Sequence, residues 1–187
     1  MIALLEAVRE VQAFLEGEGW SFMVIGGLAV QVWGGVRATE DVDISVGIRP
    51  DERDTLVKAA RERFKLIPDD PEAFIARTNV LPIETESGIP VDLICAGTDM
   101  EREAFSRARD IEIEPGFSMR VATAEDLVLL KFISERPRDR EDVEGILFRS
   151  GKEMDHEYVR KWLRVFAETL HQPSLVEEYE EYLGRTG

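Results

Sequence analysis

The sequence predicts an α+β protein, with a mixed β-sheet flanked by helices and followed by a C-terminal helical region. Three observations carry that reading. Short apolar or alternating runs bounded by glycine and proline recur up to Val121, as strands of a partly buried sheet do. Between them lie stretches with apolar residues every three or four positions, the period of a helix with one face in a core. Beyond Val121 only the helical period remains. The boundaries drawn from this change are 1–121 for an α/β core and 122–187 for a helical region packed on it, with a cleft between them.

The elements come in this order. A helix over residues 3–15 puts Leu4, Leu5, Val8, Val11, Phe14 and Leu15 on one face, and Gly17 and Gly19 end it. Phe22 to Ile25 is a buried strand; Gly26-Gly27 breaks it, and Leu28 to Trp33 forms a short helix stopped by Gly34-Gly35. Val42 to Val46 alternates apolar and polar, a half-buried strand. Pro50 opens a charged helix that turns Leu56, Val57, Ala60 and Phe64 inward, and Asp69-Asp70-Pro71 reads as a loop. Val80 to Glu84 and Pro90 to Ile94 read as strands joined by a turn at 85–88. A helix is predicted over Asp99 to Arg107, and a hairpin over Glu112 to Val121 about Pro115-Gly116. Thr123-Ala-Glu-Asp126 is a helix start of the capping-box kind, and the helix carries Leu127, Leu130, Lys131 and Ile133. Pro137 interrupts, Asp139 to Arg149 resumes, and 155–170 and 173–184 make two further helices.

Composition narrows the function. A chain of 187 residues, 44% hydrophobic, fits one globular domain or a domain with a helical extension. No apolar run approaches the about 18 residues that cross a bilayer, and the N-terminal stretch has no signal-peptide pattern. A cytoplasmic protein with no membrane partner is expected. Cys95 is the single cysteine, so no intramolecular disulfide forms, and with only His156 and His171 beside it a Cys/His zinc cluster is implausible. Any metal is then held by oxygen, which selects Mg²⁺ or Mn²⁺. Cys95 reads as a small buried hydrophobe, and both histidines as surface residues. The net charge of −15, with Lys and Arg scattered among acids, argues against a broad nucleic-acid surface. A small nucleotide remains admissible, since a metal and a few local donors can meet its phosphates.

The most informative stretch runs from Val24 to Val46. Asp41 and Asp43 stand at i and i+2, so a strand turns both carboxylates to one face. Like charges that close resist ionising together unless a cation sits between them. Val42 and Ile44 anchor the opposite face. Nucleotidyl transfer needs such an oxygen-rich platform for divalent metal, with a third acid from a neighbouring strand. Asp92, the lone acid of Ile89-Pro-Val-Asp-Leu-Ile94, is the candidate. Gly26-Gly27, between a strand and a helix, leaves backbone N–H groups open to phosphate.

That order resembles the signature of the nucleotidyltransferase superfamily, the DNA polymerase β-like fold: an apolar residue, Gly, then Gly or Ser, a spacer, and Asp-apolar-Asp. Here Ile25-Gly26-Gly27, the spacer 28–40 and Asp41-Val42-Asp43-Ile44 match it, with Asp92 as third carboxylate. A closer resemblance is to bacterial AbiEii-like nucleotidyltransferases and their small relatives. Its residues are Arg37-Ala-Thr39-Glu-Asp41-Val-Asp43, then Glu125-Asp126-Leu127 to Lys131, then Arg136-Pro-Arg138-Asp139-Arg140-Glu-Asp142.

The resemblance implies roles. Asp41, Asp43 and Asp92 hold Mg²⁺ or Mn²⁺, and Asp92 acts as general base; Gly26, Gly27, Arg37, Thr39 and Lys131 bind nucleotide. Asp139 and Asp142 are structural partners of nearby arginines. The implied enzyme moves a nucleoside monophosphate from a nucleoside triphosphate to an acceptor hydroxyl, a reaction of the EC 2.7.7 type. The acceptor is an RNA end, a protein or a small molecule, and a homodimer is compatible with all three. The alternative is a catalytically silent module of the same fold that binds nucleotide or a partner, such as a toxin–antitoxin or regulatory component. The chain departs from the pattern at Gly27, where many active members have Ser.

Overall fold

In the computed structural model, which describes residues 2–134 and 136–186, the chain divides into two units. The first comprises Met1–Leu28 and Ala38–Ala122, the second Ala29–Arg37 and Thr123–Gly187. Residues 29–37 thus group with the C-terminal helices and not with the strands on either side of them in sequence.

The first unit holds one seven-stranded sheet. Its strands are β1 (Phe22–Ile25), β2 (Val42–Val46), β3 (Lys65–Leu66), β4 (Val80–Glu84), β5 (Pro90–Cys95), β6 (Arg109–Glu114) and β7 (Phe117–Val121), in the order β3-β4-β5-β2-β1-β7-β6. The sheet is mixed: β2 runs antiparallel to β1 but parallel to β5, and β1 runs parallel to β7. Helices α1 (Ile2–Gly17), α3 (Arg53–Arg63), α4 (Pro71–Thr78) and α5 (Asp99–Arg107) belong to the same unit, and α2 (Gly26–Trp33) begins in it. The expected class, a mixed sheet with flanking helices and C-terminal helices, is the class observed.

Central position explains the burial of β2. Val42, Ile44, Ser45 and Val46 are all buried, leaving Asp43 as its half-buried residue. A strand covered on both faces loses clean alternation. In β4 and β5, Leu81, Ile83, Val91 and Leu93 point into the core at every second position.

Several element boundaries differ from those predicted, three of them at a glycine or proline. α2 starts at Gly26 and not at Leu28, because Gly26 takes φ +62° and turns the chain from strand straight into helix. The loop read at Asp69-Asp70-Pro71 is the start of α4: Ala73 N–H donates to the Asp70 carboxylate, and Pro71 occupies the first turn. Pro137 likewise opens α7 (Pro137–Ser150) and does not interrupt it.

The second unit contains α6 (Ala124–Phe132), α7, α8 (His156–Thr169) and α9 (Leu175–Thr186). Leu127, Phe132, Val143, Ile146, Leu163 and Tyr179 are buried there. A Cβ at position 145 would come 3.1 Å from the Gly34 carbonyl oxygen, so glycine at 145 lets α7 approach the 29–37 segment. His156 is not the surface residue expected: its Nδ1 lies 2.7 Å from the Tyr179 hydroxyl and its Nε2 2.8 Å from the Gly151 carbonyl. His171 is exposed, as expected.

α6 is buried around most of its circumference, which forces its polar side chains to find partners. The Thr123 hydroxyl and the Tyr158 hydroxyl each donate to Asp126 at 2.6 Å, tying α6 to α8. Lys131, 8% exposed, reaches Asp139 at 2.7 Å and Asp142 at 2.8 Å. Asp142 also accepts from Arg37 at 2.5 Å. Burial alone pushes the Asp139 carboxyl up, but hydrogen bonds from Lys131 and Ser134 outweigh it and hold the group below the usual carboxylate range.

Removing one member of such a buried network strands the others. Asp142→Ala leaves Arg37 and Lys131 short of a counter-charge and should cost about 3–5 kcal/mol. Urea denaturation checks this, and a loss under about 1 kcal/mol would show the network to be solvated.

Candidate active site

Strand register positions the acids. β2 and β5 pair in parallel with Asp43 directly beside Asp92, so their backbones stand about 4.8 Å apart. β5 lies between β2 and β4, which makes Asp92 an interior position of the sheet and not a solvated edge. Asp41, exposed, precedes the first residue of β2. Burial first, and then the negative charge of Asp41, push the Asp92 carboxyl above its ordinary value. All three carboxylates therefore belong to one electrostatic neighbourhood.

The glycine turn touches the same place. A Cβ on Gly26 would lie 1.8 Å from Oδ2 of Asp43, so a side chain at 26 and a carboxylate at 43 exclude one another. A Cβ on Gly27 would lie 2.5 Å from the Thr39 hydroxyl oxygen and 2.7 Å from its Cβ. Thr39 Oγ1 in turn donates to Asp41 Oδ1 at 3.0 Å. The space that a serine side chain would take at position 27 is filled here by the hydroxyl of Thr39. Sequence reading placed Thr39 near the acids but did not link it to Gly27; the signal was a short hydroxyl residue just before Asp41, together with a glycine at position 27.

Among the described residues, no group of three or more His, Cys, Asp or Glu stands close enough as placed to clasp a metal ion. The donor set nevertheless fits a hard divalent ion: it is all carboxylate oxygen, and Asp92 is a half-buried acid beside another negative charge.

Arg37 and Lys131 lie in the helical unit. Asp142 holds both, and Asp139 holds Lys131 as well. Asp142 was foreseen as a partner of arginine alone; its hold on Lys131 arises because α7 starts at Pro137, which turns 139 and 142 to one helix face.

Comparison with known proteins bears on the fold and family. The family described as "Nucleotidyltransferase of unknown function (DUF6036)" matches residues 2–183. No curated protein matches the chain in sequence. Among solved structures, the solution structure of the antibiotic-resistance factor ANT(2'')-Ia is similar at TM-score 0.56 and 13% identity, over 95% of this chain and 96% of that one. The crystal structure of ANT(2'')-Ia with adenylyl-2''-tobramycin is similar at TM-score 0.55 and 13% identity, over 89% and 98%. An antigenic nucleotidyltransferase-like protein from Paracoccidioides brasiliensis is similar at TM-score 0.50 and 16% identity, over 77% and 74%. At these identities the likeness concerns the fold.

Two measurements test the geometry. The folded Asp92 carboxyl keeps its proton in a pH interval where the unfolded chain has lost it, so stability falls as pH rises through that interval and the cost is fully present above it. In metal-free buffer, Asp92→Asn should therefore melt above the unaltered chain at pH 7, with the gain gone by about pH 4, near the ordinary carboxylate value. A gain that is the same at both pH values contradicts the assignment. Gly27→Ser should destabilise by about 1–3 kcal/mol through overlap with Thr39, and Thr39→Ala in the same chain should restore most of it. Failure of the second change to rescue the first, by thermal melts, would separate the two positions.

Proposed function

We propose that this chain, which belongs to the DUF6036 family of nucleotidyltransferases of unknown function, transfers a nucleoside monophosphate from a nucleoside triphosphate to an acceptor hydroxyl, using divalent metal. The observation that carries the reading is the in-register pair Asp43 and Asp92 set against a glycine turn with no room for a side chain. Asp41, Asp43 and Asp92 hold Mg²⁺ or Mn²⁺. When bound, the metal neutralises triphosphate oxygens and orients them for displacement.

The protein's own groups do the rest. Gly26 and Gly27, at the N-terminus of α2, offer backbone N–H groups to phosphate. Thr39 supplies a hydroxyl beside Gly27. Asp92, whose carboxyl burial pushes up, is suited to accept a proton from the acceptor hydroxyl. Arg37 and Lys131 take a secondary part, since both are already paired with Asp142.

A small acceptor suits a chain of net charge −15, because an acidic protein repels a long polyanion. ANT(2'')-Ia, a protein of this fold, has been seen with adenylyl-2''-tobramycin, which is in keeping with that class. An RNA end and a protein side chain are the competing acceptors. The silent-module alternative drew on Gly27, and the hydroxyl of Thr39 weighs against it.

Label transfer decides between the readings. Each labelled nucleoside triphosphate is supplied with Mn²⁺ or Mg²⁺ and fractionated cell extract. Label should move to small-molecule fractions with the unaltered chain, and at least about a hundredfold more slowly with Asp43→Asn. Metal-dependent nucleotide binding with no transfer to any fraction would establish the silent module instead.

A further inference from the structure

A second cavity sits at the far end of the strands that carry the acids. β1 is preceded by Ser21, β2 is followed by Gly47 and β5 by Ala96, and these three residues share the wall of a cleft of about 820 Å³. Along β2 it lies roughly 13 Å from Asp43, so it is separate from the candidate active site.

Its lining departs from the acidic balance of the chain. The sequence has 38 acidic against 23 basic residues, yet the cleft is lined by Arg49, Arg53 and Arg102 and by no Asp or Glu. Arg49 pairs with Asp51 and Glu52, and Arg102 with Asp99; both are largely exposed and stand at the rim. Arg53 differs. It is half-buried, it donates to the Asn79 side-chain carbonyl, and among the described residues it has no carboxylate partner. Its Nε is buried without any hydrogen-bond partner. The neighbouring Cys95 does not supply the missing charge, since burial pushes its thiol up and keeps it neutral. A half-buried guanidinium with no counter-ion is costly, and an anion in the cleft would supply the missing charge.

We propose that this cleft is a second binding site, for a small organic anion. Its carboxylate or phosphate is held by Arg53, and its apolar body lies against Ile48 and Phe105. The planar guanidinium fork matches both oxyanions. Ile48 and Phe105 are buried residues that present apolar wall to the cavity, and the volume is that of a small-molecule pocket. The proposal is independent of the transfer reading, because it uses none of the acids or glycines of the candidate active site.

The test monitors backbone amide resonances of Gly47, Ala96 and Gly97 in the ¹⁵N-labelled full chain at fixed ionic strength. Phenyl phosphate, benzoate and inorganic phosphate are titrated separately. Saturable shifts at these amides with phenyl phosphate or benzoate are expected, tighter than with inorganic phosphate. The tighter of the two organic probes identifies the headgroup. Arg53→Gln should weaken binding at least tenfold, Arg53→Lys should weaken it less, and Asp43→Asn should leave it unchanged. Should Arg53→Gln fail to fold, Arg53→Lys decides: an affinity equal to that of the unaltered chain overturns the proposal. Shifts that rise linearly with all three probes, or that are the same in Arg53→Gln, overturn it as well.

Discussion

The parallel, in-register pairing of β2 with β5 is the constraint on which the site depends. It sets two carboxylates side by side on neighbouring strands, with backbone spacing fixed by the ladder and not by flexible side chains. Burial first, and then the charge of Asp41, raise the Asp92 carboxyl at this place, so an acid there costs free energy. A sheet built only for stability would not place an acid at an interior strand position beside another. Around this pair the other features fall into place. Gly26 must lack a side chain because Asp43 occupies the space, and buried Val42, Ile44 and Val46 anchor the strand that carries the charge.

Much of this was legible in the sequence, and the reasons are particular. The bounds of β2 were read correctly because alternation marks them, and those of α5 coincide with a local capping box at Thr98 that the structure shows. Asp41, Asp43 and Asp92 stood out because acids are rare in apolar strand runs. α4 was missed because Asp70-Pro71 suits a turn as well as a helix start, and only the helix-compatible run Glu72 to Thr78 separates the two. Strand order was not legible: nothing in the local pattern states that β5 joins β2 and not β4 alone. The contact between Thr39 and Gly27 is likewise tertiary, and His156 was misread because its partner Tyr179 lies in another helix.

The helical unit answers a different problem. α6 is so deeply covered that Asp126 and Lys131 sit where water does not reach. The motif Asp126-Leu-x-x-x-Lys131 therefore has a structural explanation inside its own unit: Asp126 receives hydroxyls from Thr123 and Tyr158, while Lys131 is met by two carboxylates of α7. Whatever part Lys131 takes with nucleotide, it begins from a position already satisfied. That raises the cost of recruiting it and ties any such use to the order of α7.

The margins of the sheet carry a consequence for assembly. The outer strand β6 reads Arg109-Asp-Ile-Glu-Ile-Glu114, and the opposite margin, β3, is two residues long with Lys65 facing Glu84 across to β4. A second copy adding itself antiparallel along β6 would bring Asp110, Glu112 and Glu114 against their own duplicates. Strand addition is thus discouraged at one margin by electrostatic repulsion and at the other by shortness. A homodimer of this chain would have to form through helices or loops, leaving the sheet a closed unit within each subunit.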